Sequence, residues 1–242
     1  MLGAVGEAQV QQAVRLAAQS LAQLGAAWVL EVSHMGYLFG LFDALGVPEN
    51  ARPGLLEKLR EKNAHELRRA AQAAGLDAAG ADALTGLLEL SGSCEETLAK
   101  AESACRNDRM RAAAAELRAL AKTLEASGGA VRLDLSLAGE MEYYNGLVFQ
   151  GYLQGLPRPL LKGGRYDLLM QKFTPGAGAI GFAVYLDELD RLSAPTPPVQ
   201  RNSAGRVMLN VALPKGRLGD RMYDLLARIG YGCTEDYNAT RK

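Results

Sequence analysis

The apolar residues of this 242-residue chain change their period once, at Gly128-Gly129, and that change confines it to folds in which helices are followed by sheet. Before it, residues 7–24 set Val10, Ala13, Val14, Ala17, Leu21 and Leu24 on one stripe of an amphipathic helix ended by Gly25. Residues 28–32 are a short apolar run between turn formers, which predicts a buried strand. Residues 35–45 have helical spacing and stop at Gly46 and Pro48. The alanine-rich, charged stretch 53–124 predicts four or five short helices, broken at Gly75, Gly92 and near Asn107-Asp108. After the glycine pair, 131–137, 143–153 and 178–186 carry the β-branched, aromatic and alternating apolar residues of strands, and 187–192 is a short helix.

Residues 193–205 are rich in Pro, Ser and Asn and nearly free of large apolar side chains, which predicts a linker. Beyond it, 206–213 reads as a strand and 216–229 as a helix. A segment of fewer than about 40 residues rarely builds its own core, so 206–242 is expected to be the truncated start of a second domain.

Composition excludes several classes. With 27 basic and 27 acidic residues the chain has no net charge, whereas a dedicated nucleic-acid binder needs an excess of cations to neutralise phosphates. Cys94, Cys105 and Cys233 have neither zinc-site spacing nor the density of a disulfide scaffold, so they are expected to be reduced thiols of a cytoplasmic protein. No run of about 18 apolar residues predicts a membrane span, and the first residues lack the pattern of a signal peptide. His34 and His65 fall in separate elements without nearby cysteines, so no metal site is expected.

Three stretches carry chemical information: Glu140-Met-Glu-Tyr-Tyr-Asn-Gly-Leu-Val-Phe149, Lys162-Gly-Gly-Arg-Tyr-Asp-Leu-Leu169 and Gly178-Ala-Ile-Gly-Phe-Ala-Val-Tyr-Leu-Asp-Glu-Leu189. In a strand, Tyr144, Gly146 and Val148 would share a face opposite Tyr143 and Asn145. Gly163-Gly164 permits close approach of a backbone or small ligand, with Arg165, Tyr166 and Asp167 supplying polar groups beside it. Singly, such glycines make a tight turn and such tyrosines fill a sheet face. In this order and spacing, however, the stretches resemble the Tyr-Tyr, Gly-Gly-Arg-Tyr-Asp and closing motifs of histidyl-tRNA synthetases. There the first two line the histidine pocket and the third belongs to the ATP site.

The departures from that family are equally informative. Gly139 stands where the resemblance implies an arginine that helps activate the substrate carboxylate, and Glu188 where it implies an arginine that holds ATP phosphate. No counterpart of the two upstream class II motifs occurs in residues 1–130. The pattern resembles the histidyl-tRNA-synthetase-like regulatory subunits of ATP phosphoribosyltransferase, over roughly residues 1–192, with the first third of such a subunit expected to be absent. Met208-Leu-Asn-Val-Ala-Leu-Pro-Lys-Gly-Arg-Leu218 resembles the opening of the catalytic subunit of the same enzyme. There a strand, a turn at Lys215, Gly216 and Arg217, and a helix N-terminus would present cations and amides to a phosphate. Thr240-Arg241-Lys242 resembles a short element near that family's nucleotide site.

The expected fold is therefore α+β: an incomplete class II synthetase-like antiparallel sheet with helices over 1–192, with a helical insert at about 47–124. The linker 193–205 and a truncated α/β start of periplasmic-binding-protein type over 206–242 follow. The resemblance implies a non-catalytic subunit, without a cofactor of its own, that joins the catalytic subunit in a hetero-oligomer and transmits feedback by L-histidine. Any Mg-dependent chemistry falls to the partner. Tyr144, Gly163, Gly164, Arg165 and Tyr166 form the expected histidine-like pocket, and no catalytic residue is expected. Alternatives are a slice of a fused regulatory-catalytic transferase, a synthetase fragment, and an inactive fragment. Gly176-Ala-Gly-Ala-Ile-Gly181 matches Gly-x-Gly-x-x-Gly, but it precedes a strand instead of joining strand to helix, so it is not a dinucleotide fingerprint. Glu140 and Glu142 are read as a solvated or salt-bridged pair, and Trp28 as core.

Overall fold

The computed structural model describes residues 1–124, 130–138 and 144–193. The glycine pair, Gly139 to Tyr143, the linker from 194 and the whole tail, including Cys233, Lys215, Gly216 and Arg217, lie outside the described residues.

Seven strands form one sheet in the order β1-β7-β6-β5-β2-β4-β3. They are β1 (Leu2–Gly3), β2 (Trp28–His34), β3 (Ser91–Ser93), β4 (Ala130–Asp134), β5 (Leu147–Leu153), β6 (Leu161–Arg165) and β7 (Gly178–Val184). The described helices are α1 (Glu7–Ala22), α2 (Met35–Ala44), α3 (Arg52–Arg60), α4 (Ala64–Ala73), α5 (Ala78–Thr85), α6 (Cys94–Ser103), α7 (Asp108–Leu124), α8 (Asp167–Gln171) and α9 (Leu186–Ser193).

The sheet is mixed and not wholly antiparallel, because β2 and β4 run parallel, with Val29 opposite Ala130 and Val32 opposite Leu133. Parallel neighbours require a long crossover, and the helical stretch is that crossover. The helical insert thus joins two paired strands of one sheet. α7 packs on α2, α1 and β2, its stripe Met110, Ala113, Ala114, Leu117, Leu120, Ala121 and Leu124 is buried, and β3 inside the stretch extends the sheet beside β4. α2 is the most enclosed helix of the crossover, buried from Met35 to Phe42. His34 Nδ1 caps it by accepting from the Gly36 amide at 3.0 Å. Asn107 ties α7 to α2, its amide donating to Gly40 O at 2.7 Å while its Oδ1 accepts from the Met110 amide.

One face of the sheet carries Leu30, Val32, Leu133, Phe149, Leu161 and Ile180, all in the core with the stripe of α1. Contact is close there: a Cβ on Gly151 would lie 2.7 Å from Leu21 of α1. The register puts Glu31, Asp134, Gln150, Tyr152, Lys162, Gly164 and Gly181 on the other face, a polar series on which α3 ends.

Candidate functional site

A cleft of about 430 Å³ opens on the polar face, lined by Tyr144, Gln150, Lys162, Gly163, Tyr166 and Tyr185 of the sheet region, Leu137 and Ala138 after β4, and Arg60 at the end of α3. Lys162-Gly-Gly-Arg is a strand, β6, and not a tight turn, so alternate residues serve opposite faces. A Cβ on Gly163 would come within 2.5 Å of Phe149 and Phe182, whose rings meet edge-on at 6.3 Å. A Cβ on Gly164 would come within 2.5 Å of the Tyr144 ring. The first glycine thus admits core aromatics, and the second seats a tyrosine at the cleft.

Tyr144 does not belong to a strand, because β5 begins only at Leu147. The backbone that follows it is held from both sides, with Asn145 N donating to Arg165 O at 3.1 Å and Gly146 O accepting from Met35 N at 2.8 Å. Tyr166 reaches the cleft from the start of α8, its hydroxyl oxygen 3.4 Å from where a Gly181 Cβ would sit. Arg165 lies across the sheet from the cleft, lining a separate cavity of about 180 Å³ with Glu7 and Glu116. Its alternation with Gly164 along β6 turns it away. Of the expected pocket residues, Tyr144, Gly163 and Tyr166 line the cleft, Gly164 supports Tyr144, and Arg165 stands apart.

Asp167 explains how the motifs are joined. It is 8% exposed, and its carboxylate accepts from Arg165 Nε at 2.7 Å and from the Ala179 amide at 2.9 Å. Its own amide donates to Asn145 Oδ1 at 2.9 Å, and Gly178 leaves it room, since a Cβ there would fall 2.7 Å from Oδ1. Residues of all three sequence motifs therefore meet at Asp167, two at its carboxylate and Asn145 at its amide. Arg165 also donates to Val5 O at 3.2 Å, so it clamps backbone.

Beside the cleft, Tyr152 donates to Gln150 Oε1 at 3.0 Å. Burial, and then the neighbouring Glu31 and Asp134 carboxylates, push the Tyr152 hydroxyl above its ordinary range. Burial and Asp134 likewise raise Glu31, against the opposing pull of Lys62 and Arg132. Asp134 is 3% exposed and is held by Lys62 Nζ at 2.5 Å, Ser136 Oγ at 2.5 Å and the Ser136 amide at 3.0 Å. Lys62 makes this reach from a left-handed backbone, φ +52°, unusual for a side chain with a Cβ. Glu188, at the position where phosphate-binding arginine was expected in synthetases, is buried with Oε2 3.4 Å from Arg191. Among the described residues no three His, Cys, Asp or Glu side chains cluster as metal ligands, and no helix is long and apolar enough to cross a membrane.

Sequence reasoning missed Arg60, Lys162, Gln150 and the hub role of Asp167. Lys162 stood inside the second stretch, and strand alternation from Gly164 would have put it on the same face, whereas Gln150 follows Phe149 on β5 and is brought opposite Lys162 only by the β5–β6 register. Arg60 carries no local signal, since only the crossover brings it to the sheet.

A sequence model described as histidyl-tRNA synthetase matches residues 1–189. The chain belongs to the histidyl-tRNA synthetase family. Within that family it is 32% identical over 189 residues to the ATP phosphoribosyltransferase regulatory subunit of Desulfitobacterium hafniense, covering 77% of this chain and 49% of that relative. A solved structure described as an ATP phosphoribosyltransferase regulatory subunit/histidyl-tRNA synthetase from Bacillus halodurans superposes with TM-score 0.71 at 31% identity. The superposition covers 79% of this chain and 52% of that one. An ATP phosphoribosyl transferase complex from Thermotoga maritima matches at TM-score 0.59 and 18% identity, over 76% and 63% of the two chains, and so shares the fold. The chain spans about half the length of the curated relative it matches.

Proposed function

We propose that this chain is part of a regulatory subunit of ATP phosphoribosyltransferase, acting in the first step of histidine biosynthesis in the cytoplasm. It would join the catalytic subunit in a hetero-oligomer and carry an L-histidine site in the cleft. The convergence of Tyr144, Gly163 and Tyr166 on one cleft, with their motifs locked at Asp167, carries this reading. The relatives' names support it. Aminoacylation is disfavoured because Glu188 is a buried carboxylate and Gly139 a hydrogen where the synthetases use arginines. The chemistry belongs to the partner, and this chain needs no cofactor of its own. The Lys215-Gly216-Arg217 turn of the tail is proposed to face phosphate, on the strength of its sequence.

Isothermal titration of L-histidine, and separately of a short-form catalytic subunit, into the purified chain tests the reading. Binding of either supports it. A folded chain that binds neither overturns it for this segment.

A further inference from the structure

We propose that Arg60 and Lys162 form an anion subsite in the cleft, taking the carboxylate of a bound amino acid or a phosphate group of similar size. The inference rests on the reading of the cleft as a small-molecule site. Arg60 and Lys162 enter the cleft from different layers, Arg60 from the end of α3 and Lys162 from β6 on the sheet. No carboxylate stands among the described residues that line the cleft. Both cations are exposed, and neither makes an ion pair or side-chain hydrogen bond with any described residue. Lys58, two residues from Arg60, has Glu61 as a partner, and Lys62 has Asp134.

The placement of Arg60 is built in. The Lys62–Asp134 bridge pins the end of α3 to the polar face, and the left-handed turn at Lys62 lets the chain leave without lifting Arg60 away. Two like charges at a concave wall focus a positive potential, and the tyrosines beside them add hydroxyl donors. Arg60 offers a planar fork that matches carboxylate or phosphate oxygens, and Lys162 a point charge.

Titration of the full chain and its Arg60→Met and Lys162→Met variants with three probes tests the proposal: L-histidine, L-histidinol and inorganic phosphate. L-Histidinol keeps the imidazole and ammonium but carries a hydroxymethyl group in place of the carboxylate. Both substituted side chains are exposed, so the variants are expected to keep the wild-type far-UV spectrum. Each should weaken L-histidine about tenfold or more, the loss of one charge-assisted hydrogen bond, while leaving L-histidinol within about twofold. If L-histidine does not bind but phosphate does, and loses affinity in both variants, the anion subsite stands while the histidine reading falls. Variants that bind both anions within about twofold of wild type overturn the subsite and leave the histidine reading intact. A wild-type chain that binds neither anion overturns it as well.

Discussion

Removing the Asp167 carboxylate should both unfasten the cleft and destabilise the fold. In Asp167→Ala the buried Ala179 amide loses its acceptor, which costs about 1–3 kcal/mol. Arg165 also loses a charge-assisted bond, but its side chain is 27% exposed and can partly rehydrate, so about 1.5 kcal/mol, the low end for such bonds, applies. The sum is about 2.5–4.5 kcal/mol, or roughly 5–18 °C in Tm for a domain of this size. Asp167→Asn keeps an oxygen for Ala179 and loses only the charge, so it should cost about half as much. Urea denaturation followed through Trp28, the chain's single tryptophan, reads both values. Trp28 is half-buried at the start of β2, and its emission should report opening of the sheet. An Asp167→Ala chain within about 0.5 kcal/mol of wild type, the usual span of a surface substitution, would refute the hub. So would an Asn variant as costly as the Ala variant.

Other expectations follow from the same geometry. Gly163→Ala drives a methyl into Phe149, Phe182 and the Gly181 carbonyl and should cost about 1–3 kcal/mol by thermal denaturation. Gly164→Ala must also displace Tyr144, so ligand affinity by titration should fall there together with stability. Glu31 has a raised folded pKa, so its ionised form opposes folding increasingly as pH rises above the usual carboxylate range. Glu31→Gln should therefore raise the urea midpoint at pH 7, with the gain fading below about pH 4.5. Glu116 is opposite in sign. The hydrogen bond from His34 holds its carboxyl below the ordinary range, so that contribution is present above about pH 4.5 and is lost as pH falls through the folded value. Glu116→Gln should lower the midpoint at pH 7, and the difference should close in acid.

Elements with strong periodicity were legible in the sequence. The stripe of residues 7–24, the run at 28–32 and the helix at 35–45 each correspond to an observed element, because a single burial face determined them. β6 was not legible as a strand: Lys162, Gly163, Gly164 and Arg165 offer no alternation of size, and its state depends on neighbours β5 and β7. The Ser91–Ser93 strand is likewise set by pairing with β4, since Gly92 reads locally as a breaker. The parallel β2–β4 pairing was hidden because nothing within either strand records its partner's direction. At the cleft, the tyrosines and glycines were visible as motifs. The opposite duties of Gly163 and Gly164 became visible only with the register.

The parallel pairing of β2 and β4 also orders events in time. β2 can meet β5 only across a long stretch of chain, and β4 can join only after the crossover helices have brought it alongside, so the centre of the sheet should form late and slowly. Arg60 and Lys62 lie within that crossover, while Lys162 and Asp134 lie on the sheet it joins. A molecule held between Arg60 and Lys162 would thus grip two parts of the chain that fold as one only at the end. Its binding should slow unfolding more than it speeds folding, and a cell with abundant ligand would keep this protein longer than one without.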